Sequence, residues 1–236
     1  MFLFLFFISW SSCQMWDPYD SIDIGKSLVL SASDETALFA NGNDSKIYTV
    51  NFGEGEEVSP SSEVSLIITN GTLKSLDPDA TSSNTDSVLK LSPPYQTISF
   101  LVQSSTIPDS SVILVASLDG FSTIDTLKFL PSRPTSIFFP VSSQTQGLED
   151  DFNLELSLVK EGAGKVSDQL LVEVSAVQVN PGNARISFPS KVLTQEEKAT
   201  IPISNLDSLP KEITFLATIK NELGEVDSAQ TVVRFE

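Results

Sequence analysis

The chain of 236 residues carries 31 acidic and 14 basic side chains, which gives it a formal net charge of −17. Such a surface repels the phosphates of nucleic acids and of anionic lipids, so neither is predicted as a direct partner. With no histidine and one cysteine, the chain lacks the residues for histidine-dependent catalysis, histidine-ligated metals or an internal disulfide.

The N-terminal residues predict an export signal followed by a tether. Residues 2–8, FLFLFFI, form an apolar run that is too short to span a bilayer but suits a secretory signal. Cleavage before Gln14 would remove residues 1–13, whereas a lipoprotein peptidase would cut before Cys13 and leave it acylated. Residues 14–25 are acidic and lack periodicity, as expected of a tether. Both alternatives predict a secreted, cell-surface or envelope protein, and the second anchors it in the outer membrane through lipid on Cys13.

From residue 26 onwards, short alternating apolar runs separated by turn signals predict β-strands. Asn41-Gly42 and Asn70-Gly71 mark turns, and the polar stretch 77–87 is predicted to be a long loop. About seven strands with regular turns are typical of a β-sandwich. The predicted strands cover residues 26–33, 46–52, 63–69, 72–76, 88–91 and 97–103, and a hairpin covers 111–129.

The same pattern starts again after a predicted linker at residues 131–134, which two prolines stiffen. The second series of predicted strands covers residues 135–141, 152–159, 170–179, 184–188, 191–193 and 199–204, and a hairpin covers 213–235. The two halves match in order, with these correspondences: Ala116 with Ala217, Phe129 with Phe235, and Glu63-Val64-Ser65 with Glu173-Val174-Ser175.

A hairpin that recurs after roughly a hundred residues indicates tandem domains. The sequence therefore predicts an all-β protein with two tandem immunoglobulin-like β-sandwiches, residues 26–130 and 135–236, after a cleaved export signal.

The chain resembles the bacterial immunoglobulin-like repeats of the invasin and intimin type. The residues that carry this resemblance in the first half are Ala40-Asn41-Gly42 after the first strand, Gly71-Thr72-Leu73 after a middle strand, Val115-Ala116 in the closing hairpin and the final Phe129. The second half keeps Leu216-Ala217 and Phe235 but has no Gly-Thr-Leu step. The resemblance implies a stalk or adhesive module on a cell surface, with a protein as its partner.

No catalytic or cofactor-binding residue is predicted, and calcium is the one metal for which candidate ligands exist. Acidic groups in loops offer oxygen ligands, but none has the strict spacing of a known calcium loop, so solvated loops are the favoured interpretation. If calcium binds, Glu149, Asp150 and Asp151 are the first choice, since we expect them near the linker, where a metal would stiffen the joint.

The leading functional prediction is a non-enzymatic exported protein that acts as a structural or adhesive binding module. Exposed strand edges and end loops would recognise a protein partner. One alternative is a lipid-anchored accessory subunit of a larger envelope assembly. A remote alternative is a hydrolase that works with paired carboxylates.

Overall fold

The fold is described from a computed structural model over residues 28–52, 63–92, 97–149 and 151–236. Over these ranges the chain is built of β-strands, and one short 3₁₀ turn, Pro78–Ala80, is its only helix. None of the described residues belongs to a helix with the length and apolar character needed to cross a membrane. The predicted export signal, Cys13 and the tether lie outside the described residues.

The first half forms a β-sandwich. One sheet has the order β1-β3-β8-β5 and the other the order β2-β10-β9-β4-β7-β6. The strands are β1 (Leu28–Ala32), β2 (Leu38–Phe39), β3 (Ser45–Phe52), β4 (Val64–Ile68), β5 (Thr72–Ser75), β6 (Thr81–Thr85), β7 (Val88–Leu91), β8 (Thr97–Gln103), β9 (Asp109–Leu118) and β10 (Phe121–Leu130).

The core of this sandwich draws on both sheets. Tyr48 and Phe100 from one sheet pack in the same cluster as Leu66, Leu114 and Phe129 from the other. Their strands alternate between buried and more exposed positions, the period-two pattern of a half-buried strand. Full burial of each such side chain contributes about 1.5–3 kcal/mol, opposed by the conformational entropy lost on folding.

The second half forms a β-sandwich with its own core. Its strands follow the order β11-β13-β17-β16-β14-β18-β19-β12, with β15 paired to β17. The strands are β11 (Ser136–Phe138), β12 (Ser143–Gln146), β13 (Asp151–Val159), β14 (Leu171–Asn180), β15 (Ile186–Ser187), β16 (Lys191–Gln195), β17 (Lys198–Asn205), β18 (Lys211–Lys220) and β19 (Val226–Phe235).

One strand, β16, joins the two layers of the second sandwich. Its first three residues pair with β14 in one layer, and Thr194 and Gln195 pair with β17 in the other. The buried residues of this half, among them Leu156, Phe215 and Phe235, form a cluster that shares no member with the first core. The prediction of an all-β protein with two tandem sandwiches is confirmed, whereas the domain limits at residues 26–130 and 135–236 stay a prediction.

The two halves repeat the same connections. β1 pairs with β3 as β11 pairs with β13, and β2 runs parallel to β10 as β12 runs parallel to β19. Each chain half ends in an antiparallel hairpin, β9–β10 or β18–β19. Ala116, Ala217, Phe129 and Phe235 are all buried, as their predicted correspondence requires.

The predicted match between Glu63-Val64-Ser65 and Glu173-Val174-Ser175 is wrong by two residues. In the sheets Leu66 lies opposite Ala116, and Val174 lies opposite Ala217. Val174 therefore corresponds to Leu66 and not to Val64. A shift of two residues leaves every side chain on the same face of a strand, so the apolar pattern does not distinguish the two matches.

The loop predicted at residues 77–87 is also wrong. This stretch contains the 3₁₀ turn and strand β6, which pairs with β7 at the edge of its sheet. The sequence of β6, TSSNT, buries no side chain and so shows no apolar alternation. Strands β2 and β12 were missed as well, and the described residues of the first half hold ten strands where about seven were predicted.

Gly71 closes the turn between β4 and β5 against the end of β10. Its φ is +103°, and a Cβ atom built on it would lie 2.6 Å from the carbonyl oxygen of Gln103 and 3.1 Å from the ring of Phe129. Only glycine combines this backbone conformation with so close an approach.

Candidate functional site at the joint between the sandwiches

The connector at residues 131–134 is tied to the second sandwich by its buried serine. The hydroxyl of Ser132 donates a hydrogen bond of 2.8 Å to the carbonyl oxygen of Lys165. The backbone N–H of Ser132 donates to Oγ of Ser167, and the N–H of Ser167 donates to the carbonyl of Ser132, both at 2.8 Å. Because three bonds hold it, the connector is part of the folded structure.

The same loop of the second sandwich bonds directly to the first. The hydroxyl of Ser167, which is completely buried, donates to the carbonyl oxygen of Ala40 at 2.5 Å. The N–H of Lys165 donates to the carbonyl oxygen of Asn41 at 2.9 Å. These bonds lock the turn after β2 to the loop between β13 and β14.

Two further bonds connect Thr106 and Asp168. The N–H of Asp168 donates to the Thr106 carbonyl at 2.8 Å, and the Thr106 hydroxyl donates to Oδ2 of Asp168 at 2.5 Å. Beside them, the side chain of Asn41 accepts from the N–H of Asp44 at 2.7 Å and is covered by Gly164. A Cβ at Gly164 would lie 2.6 Å from Asn41 Cγ, so the two sandwiches touch without a gap.

A cleft of about 670 Å³ opens beside this joint. Phe39, Leu130 and Leu223 line it and are 49%, 40% and 77% exposed. An ion pair of 3.3 Å between Lys160 and Glu222 forms part of its wall. Exposed aromatic and aliphatic side chains beside fixed charges form a surface that can take up apolar side chains of a protein partner.

A second cleft lies in the first sandwich, where the chain leaves β1 for β2. Burial, reinforced by the hydrogen bond of 2.9 Å that its hydroxyl donates to Asp125, raises the pKa of Tyr48 far above its ordinary value. Nζ of Lys46 donates to the carbonyl oxygens of Asp34 and Thr36, and it forms an ion pair with the Asp34 carboxylate at 3.2 Å.

Hydrogen bonds from Thr36 and then from Lys46 lower the pKa of the exposed Asp34 carboxyl well below its usual range. Asp34 and Asp125 are thus held in fixed bonds with Lys46 and Tyr48. This arrangement ties β3 to β10 across the two sheets and holds the segment between β1 and β2 against them.

Glu149 and Asp151, the two calcium candidates that the structure describes, do not lie near the linker. Asp151 pairs with Ser204 at one end of β13, whereas Val159 at the other end pairs with Ser136 next to the connector. At about 3.3 Å per residue, the strand separates Asp151 from the joint by roughly 27 Å. The expectation failed because the chain moves away from the connector through β11 and then through β12, an unpredicted strand that pairs with the last four residues of β19 at the far end of the sandwich.

Glu149 and Asp151 are both exposed, and Asp150 lies outside the described residues. Within the described ranges no three cysteine, aspartate or glutamate side chains are close enough to hold a metal ion. The interpretation of these carboxylates as solvated loop residues stays a prediction, with calcium binding as its alternative.

The joint was not found from the sequence. Ser132, Ser167 and Thr106 look like ordinary loop residues, and only the fold brings them together. The nearest sequence signals were the connector from Pro131 to Pro134 and the turn at Ala40-Asn41-Gly42. The resemblance identified that turn as a feature of the fold, but it did not indicate that the turn lies at the joint.

Comparisons with known proteins address the fold. No protein-family model matches the chain, and no curated protein matches it. The solved structure of the adhesin InvE of Yersinia pseudotuberculosis aligns with a TM-score of 0.54 and 14% identity, over 89% of this chain and 58% of that one. The chain therefore shares an immunoglobulin-like β-sandwich fold with that structure.

Two other solved adhesin structures align less closely. Invasin, a bacterial integrin-binding protein, aligns with a TM-score of 0.37 and 16% identity, over 89% of this chain and 40% of that one. The D0–D1 domains of intimin align with a TM-score of 0.32 and 16% identity, over 88% and 97% of the two chains. This chain covers a little over half of the InvE structure, 58% of its length.

Proposed function

We propose that the protein is an exported, non-enzymatic module of the cell surface or envelope that holds a binding surface for a protein partner in a fixed orientation. The observation that carries this proposal is the hydrogen-bonded joint between the two sandwiches. The fold it shares with the adhesin InvE supports a role in adhesion.

The joint resists rotation because turning one sandwich against the other breaks buried bonds. Four hydrogen bonds connect the sandwiches directly, and Ser167 takes part in one of them and also holds the connector. A buried polar group left without its partner costs about 1–3 kcal/mol. The two sandwiches therefore behave as one rigid body, and a rigid surface loses less conformational entropy when it binds.

The cleft beside the joint is the proposed contact surface. It is formed by both sandwiches, so its shape depends on the joint that fixes them. Phe39 and Leu223 supply exposed apolar surface, and the pair Lys160–Glu222 supplies polar contacts at the rim. A protein segment with an apolar anchor side chain fits this chemistry.

The test is binding of the purified mature chain to intact cells and to isolated surface proteins. Leu223→Asp places a charge in the cleft and is expected to abolish binding. Leu209→Asp is the matched control, because Leu209 is also exposed, at 56%, but lies at the far end of the second sandwich. Equal binding by the two variants would show that the cleft is not the contact surface.

Export is tested separately by mass spectrometry of the mature N-terminus. A chain that begins at Gln14, or at an acylated Cys13, agrees with export. Acylated Cys13 would favour the alternative of a lipid-anchored accessory subunit in a larger envelope assembly. A chain that keeps Met1 would contradict the proposal.

A further inference from the structure

The outer side of the larger sheet in the first sandwich carries an apolar surface, here termed the aliphatic face. It consists of Ile67, Val88, Ile113, Val115 and Ile124. The pairing of β10, β9, β4 and β7 aligns four of these side chains in one row, in the order Ile124, Val115, Ile67, Val88. Ile124, Ile67 and Ile113 are 65%, 45% and 38% exposed.

The rows on either side of this one are neutral. One contains Thr126, Ile113 and Thr69, and the other contains Ser122, Ser117, Ser65 and Lys90. Lys90 is the one charged residue among these, and Glu63 neutralises it at 3.0 Å. On a chain with a net charge of −17, this sheet surface has no unpaired charge in three successive rows.

The second sandwich shows that the fold does not need such a surface. The strand pairings place Leu216 at the position of Val115, with Gln230 and Ser175 at the positions of Ile124 and Ile67. Glu173 and Thr218 form a neighbouring pair there. The same sheet position is thus polar in one sandwich and aliphatic in the other, and contiguous exposed apolar surface of this kind marks interaction sites.

We propose that the aliphatic face binds the aliphatic face of a second copy of this chain, sheet against sheet. Two molecules that each carry a charge of −17 repel one another when carboxylates meet. The neutral rows allow close approach without that repulsion. A two-fold arrangement places the aliphatic row on its own copy and the serine and threonine rows over neutral side chains.

The combined size of the aliphatic row and the two neutral rows beside it sets the strength of the contact. Four strands about 4.8 Å apart and three rows about 6.8 Å apart give roughly 400 Å² on each copy. The resulting total of about 800 Å² lies below that of stable complexes and within the range of weak, transient ones. We therefore expect a dissociation constant of roughly 0.1–1 mM, which side-by-side display of many copies converts into firm association.

The experiment is sedimentation velocity of the mature chain over concentrations from about 10 μM to 1 mM. The sedimentation coefficient is expected to rise from that of a monomer toward that of a dimer. Added salt should shift the rise to lower concentration, because it screens the net repulsion. The double variant Ile67→Glu, Ile124→Glu is expected to weaken self-association at least tenfold.

The matched control is Ser175→Glu, Gln230→Glu, which adds the same charge at the equivalent positions of the second sandwich. It is expected to self-associate like the unchanged chain, and melting temperatures confirm that each variant is folded. A monomer at 1 mM overturns the inference, as does an equal loss in both double variants or the binding of a different protein to this face without self-association. Because the cleft beside the joint is untouched in all of them, failure here leaves the proposed function standing.

Discussion

Replacing Ser167 by alanine tests the joint most directly. The substitution changes side-chain volume little, but it removes the acceptor of the Ser132 N–H and a donor to the Ala40 carbonyl. Ser132 is 2% exposed and Ala40 is 0% exposed, so water does not replace the lost bonds freely. At about 1–3 kcal/mol for each of these two groups, the free energy of unfolding should fall by roughly 2–6 kcal/mol.

Urea unfolding followed by circular dichroism measures this loss. With an m value of about 2 kcal/mol/M, the midpoint should fall by roughly 1–3 M. Calorimetry should show in addition that the two sandwiches unfold in separate transitions, because the bonds that couple them are weakened. The measurement therefore reports on the joint as well as on overall stability.

Ser104→Ala is the matched control for this experiment. Ser104 is 3% exposed, and within the described residues its hydroxyl has no hydrogen-bond partner. Its removal leaves no group unsatisfied, so the midpoint should stay the same or rise slightly. Equal losses from Ser167→Ala and Ser104→Ala would refute the reasoning that the Ser167 bonds hold the joint.

Three further outcomes are expected. Gly71→Ala should lower the free energy of unfolding by about 2–4 kcal/mol in urea titrations. Gly120 also has a positive φ, but a Cβ there would meet open space, so Gly120→Ala should lower the free energy of unfolding by only about 1 kcal/mol. Similar losses in the two variants would contradict the close approach at Gly71. Because the pKa of Tyr48 is raised in the folded state, its contribution to stability is complete below the unfolded pKa of about 10 and is lost as pH rises further. The stability difference between the unchanged chain and Tyr48→Phe should therefore shrink above pH ~10, and a constant difference would show that Tyr48 does not titrate this way. Millimolar calcium should leave the melting temperature unchanged, and a rise that Asp151→Asn abolishes would prove this wrong.

Strands with one buried face could be predicted from the sequence. β3, β8 and β13 alternate between apolar and polar residues because one side of each packs on a core. β6 and β12 lie at sheet edges and bury little, so nothing in TSSNT or SQTQ distinguishes them from loops. Edge strands pair through backbone groups that every residue carries, so their pairing leaves no side-chain pattern in the sequence.

The joint could not be predicted for a different reason. Ser167 and Ala40 are 127 residues apart, and their contact exists only once both sandwiches have formed. A buried serine that satisfies two backbone groups has the same local sequence signal as a solvated one.

The aliphatic face did leave a trace in the sequence. Residues 112–116, VILVA, are apolar at every position, although only alternate ones face the core. Such an unbroken run is the pattern of a strand covered on both sides. Ile113 and Val115 are its outward members, and the sequence alone does not show what covers them.

The parallel pairing that closes each sandwich determines how the chain carries load. When the two ends of a sandwich are pulled apart, β2 slides along β10, and β12 slides along β19, so all the bonds of a pair are strained at once and do not open singly. The first pair is two residues long and the second is four. Under tension the first sandwich should therefore yield before the second, so the chain would lengthen in two separate steps.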